Sequence, residues 1–243
     1  MRKLLAALLA GCCLLLSGCS LFFPGAADSS GGVSEPDPAR YSAEYSGGWC
    51  YQRLDDRLKT GYAEVYTAIR DSFGRDEQVT ISDSVQGSSR QYLGLRVDLS
   101  EPLHSREEAE RLYTAITWDN PQFFYIGNTY SYEGYRAGNV DNYDVFCLVF
   151  TMNAQERDRA ARQLEDAVDL VMEGVADSPN GGMTGFDAEL LMHDRLAERC
   201  TYETRAAGEE DPAAVYPSAF TAYGALVEGR AVGEGHARAM QLL

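Results

Sequence analysis

Four stretches of the chain repeat apolar residues every three or four positions, and runs of β-branched and aromatic residues lie between them. From Tyr51 to Phe73 the repeat is Leu54, Leu58, Tyr62, Val65, Tyr66, Ile69 and Phe73, the spacing of one helical face, with Gly74 ending it. Gln78–Asp83 and Tyr92–Val97 read as strands. Ser105 with Glu108 forms a capping box that opens a helix over 106–117, with Leu112, Ala115 and Ile116 inward and Asn120-Pro121 stopping it. Phe123–Ile126, Thr129–Tyr135 and Val145–Thr151 read as three β-rich runs of a meander. Asn153 with Glu156 caps a helix through about Val175, carrying Ala160, Leu164, Val168, Leu170 and Val171. The last stretch, Phe186 to about Arg199, turns Leu190, Leu191 and Leu196 toward a core. Helices segregated from a run of strands predict an α+β protein: an N-terminal helix-and-antiparallel-sheet region, then a helical second region.

The chain begins outside this pattern. Arg2 and Lys3 precede an apolar run from Leu4 to Leu16, the layout of an export signal. A permanent span needs roughly 20 apolar residues, so the run is too short to stay in the bilayer. Leu16-Ser17-Gly18-Cys19 resembles the lipobox of bacterial lipoprotein precursors, which implies removal of residues 1–18 and lipidation of Cys19. Residues 19–40, rich in Ser, Gly, Pro and Ala, carry too little apolar surface to fold and read as a tether. The expected location is therefore the extracytoplasmic face of the cell membrane, with membrane lipid as a partner through Cys19.

Asp and Glu number 37 against 21 Lys and Arg, a formal charge of −16, and losing Arg2 and Lys3 makes the mature chain more acidic still. Such a surface repels phosphate backbones, which excludes nucleic acid as a partner. Asp177–Gly185, with Pro179 and Asn180, is the best linker in the folded part, dividing a domain at 41–178 from one at 184–243. Beyond Cys19, the mature chain holds Cys50, Cys147 and Cys200, an odd number that predicts no disulfide framework. Cys147, in an apolar run, reads as a buried, inert thiol. The aromatic density from Tyr113 to Tyr143, including Trp118, suits either cross-strand pairs or a stacking platform for sugars. Asp141-Asn142-Tyr143-Asp144 reads as a turn, since a calcium loop needs a longer ligand spacing and a closing glutamate.

Met192-His193-Asp194-Arg195-Leu196 followed by Cys200-Thr201-Tyr202-Glu203 resembles a segment of the bacterial transglutaminase-like superfamily of papain-like cysteine enzymes. The run from Ala222 to Ala239 is similar, almost residue for residue, to the same family's "AYGALVNGKAVCEGYARA". Residues 118–126 resemble a segment found upstream of such domains in bacterial surface proteins. The resemblance implies acyl transfer or peptide hydrolysis through a thioester, on proteins or cell-wall peptides, by a cysteine at a helix start with a histidine and an aspartate downstream. Helix start and imidazolium both favour the thiolate.

Here the nucleophile's position is Gly233, and the strands that would bring histidine and aspartate do not follow before Leu243. The expectation is an incomplete transglutaminase-like domain with no catalytic residue, no cofactor and no metal. Glu234 is a carboxylate and a poor substitute for a thiolate, while Cys200 sits at the C-terminal end of its helix, where the dipole opposes ionisation. Tyr223, Glu234 and His236 remain as residues that could line the cleft. His193 reads as packed or surface-bonded, His104 lies in an extended loop, and the three histidines lack zinc-ligand spacing. Two readings stay open: a decayed or fragmentary thiol enzyme, and a non-catalytic surface lipoprotein that binds peptide or cell wall. A sugar-binding role for the aromatic sheet is a third.

Overall fold

A computed structural model of the chain describes residues 48–83, 88–175 and 183–243. The expected leader, Cys19, the expected tether and most of the expected linker lie outside the described residues. A 3-10 turn at Tyr51–Arg53 precedes helix α1, Asp56–Asp71. The expected helix from Tyr51 is interrupted because Asp55 is extended and its carboxylate accepts the Leu58 N–H (3.0 Å), starting a new helix there. Strands β1 (Gln78–Asp83) and β2 (Ser88–Leu103) follow, β2 running well beyond the expected 92–97. In α2, Arg106–Asp119, Ser105 accepts the Glu108 N–H, but the Glu108 carboxylate takes the His104 N–H (2.6 Å) and pairs with Arg57. The expected box is thus half made, its acid diverted into an ion pair with α1.

Strand β3, Ile126–Ala137, and β4, Val140–Phe150, form a hairpin whose turn places Gly138 at φ +62°, a conformation that favours glycine. All pairings in the sheet are antiparallel, in the order β1-β2-β4-β3. Two expectations are corrected here. Phe123–Tyr125 form a buried turn rather than strand, and Asp141–Asp144 belong to β4, the turn lying just before them. Helix α3, Ala154–Met172, carries the complete capping box of Asn153 and Glu156. Ala160, Leu164, Val168 and Val171 are buried, whereas Leu170 falls off that face and is exposed.

The second region contains α4 (Gly185–Arg199), β5 (Thr201–Tyr202), a 3-10 turn (Thr204–Gly208), α5 (Pro212–Val215), a second 3-10 turn (Pro217–Phe220), α6 (Ala222–Leu226), β6 (Arg230–Ala231) and α7 (Gly233–Leu242). Thr184 and Asp187 make the capping box that opens α4. Its buried stripe is Met192 and Leu196; Leu190 is exposed and Leu191 half-buried, so the inward face is rotated from the expected one.

One apolar core serves both regions. Leu196, Cys200, Ala222, Ala225, Ala231, Ala239 and Leu242 belong to the same buried cluster as Tyr62, Ile69, Leu112, Phe146 and Leu164. Arg195 of α4 also donates to the carbonyls of Val171 and Glu173 (both 2.6 Å), closing the C-terminal end of α3. The architecture is α+β: an antiparallel four-stranded sheet with seven α-helices among the described residues. No described helix is long and apolar enough to cross a membrane.

Candidate functional site

The two segments that carry the resemblance meet through β5 and β6. These strands pair in parallel, Thr201 with Arg230 and Tyr202 with Ala231, so the end of α4 lies beside the start of α7. Glu203, which follows β5, is buried and accepts both the N–H and the guanidinium of Arg205 (2.7 Å from Nε). That hydrogen-bonded guanidinium holds the Glu203 carboxyl far below the usual range, at about 2. Its own N–H donates to Ala231 O (2.9 Å), which fastens the chain where it leaves the ladder.

Helix α7 opens on Gly233. Val232 is its extended N-cap and supplies no side-chain hydrogen bond, so the first turn keeps its N–H groups uncapped by any side chain. A Cβ built on Gly233 meets no atom within 4 Å, and the residue has no positive φ, so nothing in the backbone calls for glycine there. Two residues on, the geometry reverses. A Cβ on Gly235 would lie 2.4 Å from Ala219 O, because α7 is pressed against the 3-10 turn at Pro217–Phe220 and Val232 N–H donates to Ala219 O (2.9 Å).

The three expected cleft residues do not converge. Tyr223 stacks on Phe124 (centroids 5.0 Å apart) and its hydroxyl donates to Gln163 Oε1 (2.8 Å). Glu234 pairs with Arg238 (2.8 Å), whose guanidinium donates to Thr117 O (2.7 Å) and stands 5.0 Å over the Trp118 ring. Tyr223 and Glu234's partner Arg238 thus fasten α6 and α7 to the first region. His236 alone faces a cavity of about 360 Å³, which His193, Leu196, Cys200, Tyr202 and Met240 also line. Its Nδ1 lies 3.0 Å from Val232 O, and since a carbonyl only accepts, Nδ1 is the donor in that contact. His193 is exposed beside Asp194 (3.2 Å), and Cys200 is a buried free thiol whose pKa is raised by burial. Sequence reasoning did not join His193 and Cys200 to His236. The signal that joins them is the pair of short extended runs, Thr201-Tyr202 and Arg230-Ala231, which needed pairing with each other.

The segment 118–126 has a physical role in this arrangement. Asp119 accepts the N–H groups of Cys50 (2.9 Å) and Tyr51 (2.7 Å), and buried Asn120 donates to the Tyr62 hydroxyl (2.7 Å) and Ile116 O (2.8 Å). This hydrogen-bonded turn aims Trp118 at Arg238 and Phe124 at Tyr223. The aromatic residues between 113 and 143 pair with one another and with the surrounding core: Tyr113 stacks on Tyr130 (4.5 Å), Tyr132 meets Tyr143 edge-on (4.7 Å), and Phe123 and Tyr125 reach Tyr66, Phe73 and Phe150.

His104 is remote from these groups, its Nδ1 3.0 Å from Asp141 O at the sheet. Among the described residues no three His, Cys, Asp or Glu side chains stand together in a way that could hold a metal ion. Set against protein-family models, curated proteins and solved structures, the chain matches none of them.

Proposed function

We propose that this chain is a lipid-anchored, extracytoplasmic protein of the transglutaminase-like kind that performs no acyl transfer of its own, because glycine stands where the nucleophile belongs. The observation that carries the reading is the start of α7: an uncapped helix N-terminus with open space around Gly233, in the run that resembles the family's nucleophile segment. A thiol placed there would be ionised by the helix terminus. The three thiols already present in the described residues are all shifted the other way. Burial and the neighbouring Asp119 push Cys50 up to about 11, and burial raises Cys147 and Cys200.

The experiment is alkylation of the mature Gly233→Cys protein with iodoacetamide at pH 7, followed by peptide mass mapping. The new thiol should react about a hundredfold faster than Cys50, Cys147 or Cys200. Equal rates would remove the helix start as a thiol-activating site. Turnover of an amide substrate by the unsubstituted chain would show that the nucleophile has been assigned to the wrong residue.

Lipid attachment at Cys19 is the second part of the proposal and rests on the leader and the Leu16–Cys19 motif. In a bacterial host fed a labelled fatty acid, the mature chain should carry label in the membrane fraction, and Cys19→Ala should carry none. Label retained in the variant, or never acquired by the parent, ends the lipoprotein reading.

A further inference from the structure

Strand β1 covers only the first half of β2. Its register ends with Gln78 opposite Leu93, and one more bond joins Gly94 N–H to Glu77 O (3.0 Å). Backbone groups alternate between the two edges of a strand, so Gly94, Arg96, Asp98 and Ser100 address the β1 side, while Leu95 and Val97 address β4. The Ser100 N–H is taken by the Glu64 carboxylate of α1 (3.2 Å). Between those two closures β1 no longer pairs with β2, so by this alternation the main-chain groups of Arg96 and Asp98 face the side that β1 has left. Where β1 departs, α1 passes alongside and leaves a groove of about 680 Å³, bounded by Val97 and Asp98 on the strand. The helix faces it with the short side chains of Thr60, Ala63 and Thr67, which leave the space beside the strand open.

We propose that this groove binds an extended peptide bearing basic side chains as an added strand beside Arg96–Asp98. An unpaired strand edge is a template for another chain, and strand addition supplies main-chain affinity while side pockets supply selectivity. The edge from Gly94 to Ser100 spans roughly 20 Å at about 3.3 Å per residue, enough for some five residues of extended chain. Charge selects the occupant: Glu64 and Asp71 line the groove against Lys59, while Asp98 on its wall pairs with Arg96 (3.2 Å), on a chain of formal charge −16. A second copy of the chain brings the same charge. Its sheet edge must also pass between α1 and β2, where a single strand fits more readily than a sheet. The proposal is independent of the reading of Gly233, since the groove lies on the first region.

The probes are acetyl-Lys-Val-Lys-Val-Lys-amide, the same peptide with Glu for Lys, and the Lys peptide N-methylated at alternate residues. Binding to the mature protein is followed by calorimetry and by amide hydrogen exchange. The Lys peptide should bind about tenfold or more tightly than either control and slow exchange at Arg96 and Asp98. Thr67→Trp, which fills the groove from an exposed position, should lose a similar factor while its melting curve stays that of the parent. Equal binding of the N-methylated peptide would reduce the effect to charge attraction and overturn strand addition. Absence of binding at millimolar peptide overturns it too, as does a dimer of the free chain that disappears in Thr67→Trp.

Discussion

Replacing Arg157 by methionine is expected to destabilise the chain by about 3 kcal/mol or more. Arg157 is 0% exposed and heads the fully buried side chains among the described residues. Its guanidinium donates to Phe73 O (2.9 Å), Arg75 O (2.7 Å), Met152 O (2.8 Å) and Ser72 O (3.3 Å), and stands 4.9 Å over the Phe150 ring. Three of those carbonyls belong to the chain as it leaves α1, so the side chain closes the end of that helix from the start of α3. Methionine preserves most of the volume but leaves the carbonyls buried without a donor, at about 1–3 kcal/mol for each group that water does not reach. At roughly 2–4 °C per kcal/mol for a chain of this size, the melting temperature should fall by about 10 °C. Arg157→Lys should recover little, because one ammonium cannot serve carbonyls spread around a planar fork. A thermal melt followed by circular dichroism decides it. A Met variant melting within about 2 °C of the parent would mean that the carbonyls find water.

The second large effect separates two glycines of one helix. Gly235→Ala should destabilise by about 2 kcal/mol although alanine is the better helix former by about 1 kcal/mol. Its methyl would sit 2.4 Å from Ala219 O and 3.1 Å from Thr221 O, main-chain atoms held by their own hydrogen bonds, and 2.9 Å from the Ala231 Cβ. Gly233→Ala, two positions earlier, meets nothing and should be neutral or stabilising by up to about 1 kcal/mol. Urea denaturation of the two variants and the parent should therefore rank them Gly233→Ala, parent, Gly235→Ala. The reverse order would mean that α7 does not dock on the Pro217–Phe220 turn. The pairing also bears on function: the position that resembles the family's nucleophile tolerates a side chain, and the neighbour that holds the helix in place does not.

Both variants act on features that a one-dimensional reading handles unequally. The helices of the first region were legible because their caps are local: Asn153 and Glu156 are three residues apart, and the box forms as the spacing predicts. Ser105 and Glu108 have the same spacing, yet Glu108 leaves the box for Arg57, which is close only once α1 packs on α2. Helical periodicity located α3 and α4 but misjudged Leu170 and Leu190. A repeat of apolar residues sets a face only to within the angle at which neighbouring helices press on it. Arg157 drew no attention in the sequence, since an arginine in the first turns of an amphipathic helix normally lies in water. Its burial depends on the end of α1, more than eighty residues upstream.

The candidate site divides in the same way. The sequence by itself determined the acidic charge, the α+β class and the glycine at the head of α7, all of which are properties of composition or of neighbours a few residues apart. Tertiary structure alone decided that Tyr223 packs on the first region and Glu234 pairs with the Arg238 that does so, that His193, Cys200 and His236 share one cavity, and that both regions have a single core. It alone left the β2 edge at Arg96 and Asp98 open beside α1. The physical reason is the range of the interactions: caps, turns and helical faces are set within about a turn of chain. Strand pairing, buried carbonyl partners and backbone-to-backbone approach join residues tens of positions apart, and no local pattern records them.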